Sequence, residues 1–443
     1  MKARLFLFVL LALPLLALPV AAAESCMTAS CHADYAAAAA AHQPVADGEC
    51  LDCHVQLLDE HPAADGASFE LVESGAALCF LCHDAPKQGQ LHAPFAEGDC
   101  LVCHQVHGAD NPSLLAVGKD WSELCFACHD DAAFALTFRH GPAAVGACGS
   151  CHDPHASEHE ALLKQPARQS CLGCHDDFAR QMQTAAFVHP PVKDAPCTDC
   201  HNPHASELRF NLKQKMPDLC FSCHPAIGKQ AAKARVSHQP MLEAGSCGGC
   251  HSTHFSQQRG LLPLDQQGLC LNCHGADSPL QDIGAQLAGE KTLHGPLRDG
   301  QCADCHDPHG SDFFRLLRGR YPAGRYLPYQ DNAYDFCLGC HEKNLLRFED
   351  TTLYTNFRNG NRNLHYVHVA DVRKGRTCRL CHEPHAGAGE KLISRTGSAF
   401  GSWKVPIGFE PTATGGSCAP GCHQVLGYDR ETPVKNDFQA PDQ

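Results

Sequence analysis

The sequence predicts an elongated repeat array, mostly coil with short α-helices and almost no sheet. Three observations lead there. Thirty cysteines fall into fifteen pairs, each followed at once by a histidine. Most of these motifs are doubled into units whose leading cysteines are spaced by 50, 48, 49, 50, 55 and finally 76 residues. A near-constant period marks an architecture in which each unit packs on its neighbours. Aromatic residues make up only 7% of the chain and tryptophan occurs twice, so the side chains of an ordinary core are scarce.

From the N-terminus, Lys2 and Arg4 precede an apolar run from Leu5 to Leu18 and a small-residue stretch, Ala21-Ala22-Ala23. This reads as an export signal over residues 1–23. The run is short for a membrane span, so the mature chain is expected to be soluble, exported and not membrane-spanning, with the periplasm as its compartment. Residues 24–290 form the regular array, one lone motif followed by doubled units of about 49 residues. Residues 291–443 carry further units with expanded linkers.

The leading motifs are Cys50/Cys53/His54, Cys100/Cys103/His104, Cys148/Cys151/His152, Cys197/Cys200/His201, Cys247/Cys250/His251, Cys302/Cys305/His306 and Cys378/Cys381/His382. The second motifs are Cys79/Cys82/His83, Cys125/Cys128/His129, Cys171/Cys174/His175, Cys220/Cys223/His224, Cys270/Cys273/His274, Cys337/Cys340/His341 and Cys418/Cys422/His423. The lone first motif is Cys26/Cys31/His32. Thirteen of the fifteen have the spacing C-x-x-C-H, while the first has four residues between its cysteines and the last has three.

C-x-x-C-H is the attachment site of c-type haem. Two thiols form thioethers to the two vinyl groups of one porphyrin, and the histidine reaches the iron from one side. On a helical turn, positions i, i+3 and i+4 share a face, so all three groups meet one ring. Disulfides or tetrahedral zinc would also use paired cysteines, but neither requires the adjacent histidine at every pair. The expectation is fifteen covalent haems c, at least thirteen of them at regular motifs. Removal of the signal leaves 420 residues, or 28 per motif, too few to bury a core of their own. The haems must therefore be the core.

Fifteen of the 31 histidines lie inside motifs. Ahead of the leading motifs stand His42, His92, His140, His189, His238, His294 and His368, and after them His61, His107, His155, His204, His254, His309 and His385. These fourteen are in register and are candidates for the distal iron position. Of the remaining two, His365 lies three residues before His368 and is the better candidate, while His159 lies close to His155 and is the spare. A histidine three residues past a proximal ligand spans at most about 10 Å, too little to circle the porphyrin. His155 is thus expected to serve the next haem, that of Cys171/Cys174, and His140 its own, that of Cys148/Cys151. The other downstream and upstream histidines should follow suit. None of the five methionines recurs at a repeat position, so ligation by two imidazoles and a low potential are expected.

The net charge of −14, deepened by haem propionates, excludes a nucleic-acid partner. The segment from Phe313 to Arg376 runs the other way, with eleven Lys/Arg against six Asp/Glu and six of the eight tyrosines. It reads either as long loops whose arginines pair with propionates or as a docking surface.

With these motifs the chain resembles the doubled C-x-x-C-H multihaem cytochromes. These include the periplasmic decahaem cytochromes of porin–cytochrome conduits in metal-reducing bacteria. The lone motif followed by doubled units carries the resemblance, as do the CHDPH, CHNPH and CHEPH signatures at His152, His201, His306 and His382. NFRNGNRNLHYVHV and GGSCAPGCHQVLGYDR are similar to segments of large periplasmic cytochromes of metal reducers. The flanking histidines are similar to those of the tetrahaem cytochromes of sulfate reducers. Fifteen motifs depart from the decahaem count. The resemblance implies an electron carrier whose partners are redox proteins: an inner-membrane quinol-oxidising donor, periplasmic cytochromes and an outer-membrane porin–cytochrome complex. The competing expectation is a reductase of a small nitrogen or sulfur oxyanion with an open iron at the first or last motif. No catalytic residue is expected.

Overall fold

The computed structural model describes residues 26–27, 31–86, 89–118, 120–243, 246–275, 282–400, 402–421 and 423–437. The expected export signal over residues 1–23 and Cys422 lie outside them. The chain is mostly coil, as expected, with short helices and ten small sheets among the described residues. Two compact units result. One holds residues up to Gly173 together with Pro203–Asn211, and the other holds Cys174–Asn202 and the chain from Leu212 onward.

Each repeat is built from three local devices. The first is a helix of four or five residues entered through a histidine and a proline: Gln43–Ala46, Ala93–Glu97, Gly141–Ala144, Pro190–Asp194 and Gly295–Arg298. His42, His92, His140, His189 and His294 occupy the N-cap with extended backbone, and a proline follows in the first turn. Proline suits that place because its φ is preset and its missing N–H would have no helical partner. The second is a single 3-10 turn at each leading motif, such as Cys100–Val102 or Cys148–Ser150. The second motifs instead end short α-helices, among them Ala76–Cys79, Ser122–Cys125 and Asp335–Leu338.

The third device is a hairpin that returns onto the leading motif. His104, His152, His201, His306 and His382 bridge Leu115, Leu163, Leu212, Leu317 and Ile393, always eleven residues on. The turn between them is left-handed, with positive φ at Ala161 and Leu162, Arg315 and Leu316, and Lys391 and Leu392. Such conformations cost energy for residues with a Cβ and persist where the surroundings demand them. The demand here is a carbonyl aimed at the motif histidine.

Two-residue antiparallel ribbons tie one repeat to the next. Leu91 pairs with Ala156, Ala41 with Gly108, Arg139 with Ala205, Val188 with Phe255, and Leu293 with Ala386.

The expanded linkers are not loops alone. They contain a buried side-chain cluster of Tyr321, Ala333, Tyr334, Leu346 and Val369. Asn363, fully buried, caps the helix Leu364–Val369: its Oδ1 accepts from the backbone N–H of His365 and Tyr366 at 3.0 and 3.2 Å. Its Nδ2 donates to the carbonyls of Leu345 and Phe348 at 2.9 and 3.0 Å. That cap fixes the helix bearing His365 and His368. Beyond it lies a three-stranded antiparallel sheet of Phe409–Pro411, Gly415–Cys418 and Leu426–Asp429, so the last motif starts on a strand.

Candidate haem sites

Within a motif the three reactive groups share one face. The carbonyl of Cys100 accepts from the N–H of Cys103 at 3.2 Å and of His104 at 3.0 Å. Cys148 does the same for Cys151 and His152, Cys220 for Cys223 and His224, and Cys378 for Cys381 and His382. In the lone first motif His32 N–H reaches back to the carbonyl of Cys26 at 3.2 Å despite the longer spacing. The polypeptide itself does not bury these thiols. Cys26 and Cys31 are exposed, as are the second thiols of the second motifs (Cys82, Cys128, Cys174, Cys223, Cys273 and Cys340). Those of the leading motifs, Cys151, Cys200 and Cys381 among them, are half-buried. Open thiols are what two thioether bonds to a large ring require.

Almost every motif histidine then meets a second imidazole across a gap of constant width. Ring centroids are 5.9 Å apart for His32–His61, 6.0 Å for His42–His83, 6.2 Å for His54–His107, 6.1 Å for His92–His129 and 5.8 Å for His104–His155. The separation is 6.1 Å for His152–His204, 6.0 Å for His189–His224 and His201–His254, and 6.4 Å for His238–His274. It is 6.1 Å for His251–His309 and His306–His385, 6.0 Å for His294–His341 and 6.5 Å for His365–His382. The rings are near parallel, from 7° for His294–His341 to 31° for His152–His204. Direct stacking would bring them closer. Two metal–nitrogen bonds of about 2 Å plus roughly 1 Å from each nitrogen to its ring centre span about 6 Å. The residues present thus fit one six-coordinate iron between each pair.

The pairing corrects the expected ligand order at both kinds of motif. His155 faces His104, so it does not serve the site of Cys171, Cys174 and His175. His204 faces His152, so the site of Cys148 and Cys151 is not completed by His140. The site of Cys220 and Cys223 takes the upstream His189 through His224, not the downstream His204. His61 serves the lone Cys26/Cys31 motif through His32, not the second motif that follows it. At Cys378 and Cys381 the partner of His382 is His365, not the nearer His368. His175 stands at the N-cap of the helix Asp176–Thr184, and the upstream histidine of its repeat is His140.

One rule covers these corrections. Each downstream histidine turns back to the leading motif of the preceding repeat. The upstream His42, His92, His189, His238 and His294 face the second motif of their own repeat, as His92 faces His129. Geometry explains both. The helix Ala93–Glu97 and the left-handed Gly98 take up the chain between His92 and Cys100, leaving no slack to round that porphyrin. The ribbons do the rest, since His92 N–H donates to the carbonyl of His155 at 3.0 Å, which binds the two distal ligands of one doubled unit together. The same bond joins His42 to His107, His140 to His204, His189 to His254 and His294 to His385. His61 stands seven residues after its motif instead of three, and obeys the same backward rule.

His382 instead meets His365, which stands on the capped helix. The charge of His423 acts on His368, which places the last motif at that helix. His159 stands at the N-cap position of the 3-10 turn Glu160–Leu162, with no cap hydrogen bond from its side chain.

Second contacts orient the rings. Nδ1 of His104, His152, His251, His306 and His382 faces the carbonyl nine residues on, in the left-handed turn, at 3.0, 2.7, 2.8, 2.8 and 2.8 Å. Among the upstream ligands, Nδ1 of His92, His189 and His238 faces the carbonyl preceding the downstream histidine, at 2.9, 3.0 and 3.2 Å. A carbonyl only accepts, so Nδ1 carries the proton and Nε2 keeps the lone pair that a metal needs. Burial, then neighbouring histidines, pushes His365 down to about 4; burial, then His306 and Arg315, does the same for His385. Both are held in the neutral, ligating form.

Successive motifs are neighbours. The first thiol of a second motif contacts the first thiol of the next leading motif at Cys79–Cys100, Cys125–Cys148, Cys220–Cys247, Cys270–Cys302 and Cys337–Cys378. Within a unit the second thiols lie close, as at Cys53–Cys82, Cys103–Cys128, Cys200–Cys223, Cys250–Cys273 and Cys305–Cys340. Cys26 and Cys50 extend the series to the lone motif.

The family model described as the doubled CXXCH motif matches residues 42–88, 92–134, 140–180, 189–229, 238–279 and 294–345. These stretches make up more than half of the chain. The chain belongs to the doubled CXXCH motif family. It is therefore a multihaem c-type cytochrome, with about twelve covalent haem sites in the six matched repeats. Each match begins at an upstream histidine, so that residue is part of the repeat. No curated protein matches the chain. No helix among the described residues is long and apolar enough to cross a membrane.

The facing rule was partly hidden in the sequence. A proline two residues after His42, His92, His140, His189, His238 and His294 marks the entry to the short helix. A leucine or isoleucine eleven residues after each leading histidine from His104 on marks the returning hairpin.

Proposed function

We propose that this cytochrome is an electron carrier rather than an enzyme, a periplasmic wire of fifteen bis-histidine haems. It passes electrons from inner-membrane quinol-oxidising donors, directly or through periplasmic cytochromes, to an outer-membrane porin–cytochrome complex or an extracellular acceptor. The repeated gap of about 6 Å between near-parallel imidazoles carries this reading. Bound haem supplies a one-electron ferric/ferrous couple. The protein residues do the rest. The paired imidazoles would hold the iron of each bound haem between them, so exchange would need neither bond rearrangement nor substrate binding. The cysteine contacts would hold the bound haems of those motifs near one another, and tunnelling rates fall exponentially with distance. The export signal supports assembly outside the cytoplasm.

The test is the intact mass of the exported protein. Fifteen haems and no free thiol are expected. Thirteen would remove Cys26–His32 and Cys418–His423 from the array, and a mass without haem would end the electron-carrying reading.

A further inference from the structure

The facing pairs are not electrostatically alike. In the N-terminal unit, His107 and His204 feel only other histidines, and His155 feels Asp153 besides. In the C-terminal unit Arg318 acts on His309 and Arg376 on His368. The His306–His385 pair stands apart: the charge of Arg315 reaches both rings, and that of Arg379 reaches His385.

These two arginines belong to a cluster. Their guanidinium carbons each lie 5.3 Å from the centroid of Phe314. Arg325 joins them, its Nη1 donating to the carbonyl of Arg379 at 2.8 Å. The backbone N–H of Arg379 donates to the hydroxyl of Tyr321 at 3.0 Å, anchoring the motif residue to the buried cluster. Three guanidinium groups so close repel one another. Nη1 of Arg379 is buried with no hydrogen-bond partner, and among the described residues no carboxylate forms an ion pair with Arg379 or Arg325. Glu383 acts on Arg379 only from a distance. A buried donor left unmade costs about 1–3 kcal/mol, more when charged. Such a cluster persists where an anion completes it, and planar guanidinium is suited to carboxylates.

We propose that Arg315, Arg325 and Arg379 hold the propionate carboxylates of the haem carried by Cys302, Cys305 and His306, and thereby make it the most oxidising position in the array. This deepens the electron-carrying reading and rests on it. Neutralising two carboxylates removes a negative field that opposes reduction. The remaining positive charge stabilises the added electron directly. The exchange balances: one electron leaves a ferrous neighbour, which becomes ferric, and the ferric iron at this site becomes ferrous, with no proton or bond transferred. Its neighbours stand on both sides, through Cys270 to Cys302 and through Cys305 to Cys340. Electrons on the neighbouring haems would run downhill to this site and collect there before release.

The test is an optical redox titration of the full-length holoprotein. Arg379→Gln and Arg315→Gln should each shift the most positive single-haem component to lower potential, with the haem mass unchanged. Arg379→Lys, which keeps the charge, should return it towards the wild-type value, and Arg373→Gln, an exposed arginine outside the cluster, should leave it in place. His385→Ala should remove that same component from the low-spin set, which assigns it to the Cys302 haem. A top component unmoved in both glutamine variants at full haem loading overturns this proposal alone. A wild-type protein without covalent haem overturns the electron-carrying reading as well.

Discussion

His155 shows how a single residue is committed. It lies three residues after His152, and the short tether does keep it from its own iron, as the chain length implies. It turns backward because its carbonyl receives the N–H of His92 and its ring meets that of His104 at 5.8 Å. His155→Ala should therefore convert one haem, that of Cys100/Cys103, to high spin without detaching it, and leave the Cys171/Cys174/His175 haem low spin. The assignment is checked by a double-mutant cycle read by electron paramagnetic resonance. In a variant lacking Cys100 and Cys103, adding His155→Ala should create no high-spin signal. A full haem equivalent of high-spin iron in that background would show that His155 serves a different site.

At the scale of elements, the two-residue ribbons set ligand positions more strongly than their size suggests. Gly108 follows His107 directly and pairs with Ala41. A Cβ there would sit 2.6 Å from the Cβ of Ala38 and 3.1 Å from the carbonyl of Ala40. Gly108→Val should cost about 1–3 kcal/mol, the usual range for overpacking. It should also pull His107 away from His54. The expected observation is a lower unfolding temperature together with one high-spin haem, and an unchanged ferric spectrum would detach the ribbon from ligand placement. The cysteine and histidine positions were legible because attachment chemistry requires them at fixed spacing. The fold class was legible from the shortage of core-forming residues. The pairing was not, because ribbon register joins residues far apart in the chain, such as Leu91 and Ala156, and alternating pattern says little in strands of two residues. Nor was the C-terminal cluster around Tyr334 and Asn363, whose polar and aromatic residues read equally well as a loop or a docking surface.

For the whole molecule, the backward rule makes each repeat depend on its successor. The leading site of one repeat is completed by the next, while the lone first motif takes His61 and the site of His382 takes His365 from the helix Leu364–Val369. Among the described residues thirteen motif histidines face a second imidazole, the arrangement that the proposed electron carrier requires. All of this stands on full axial coordination. Low-temperature electron paramagnetic resonance of the oxidised holoprotein, recorded with and without nitrite or hydroxylamine, reads that coordination directly. Only low-spin ferric signals, unaltered by either compound, are expected; a high-spin component of one haem or more that titrates with them would mean an open iron and a catalyst in place of a wire.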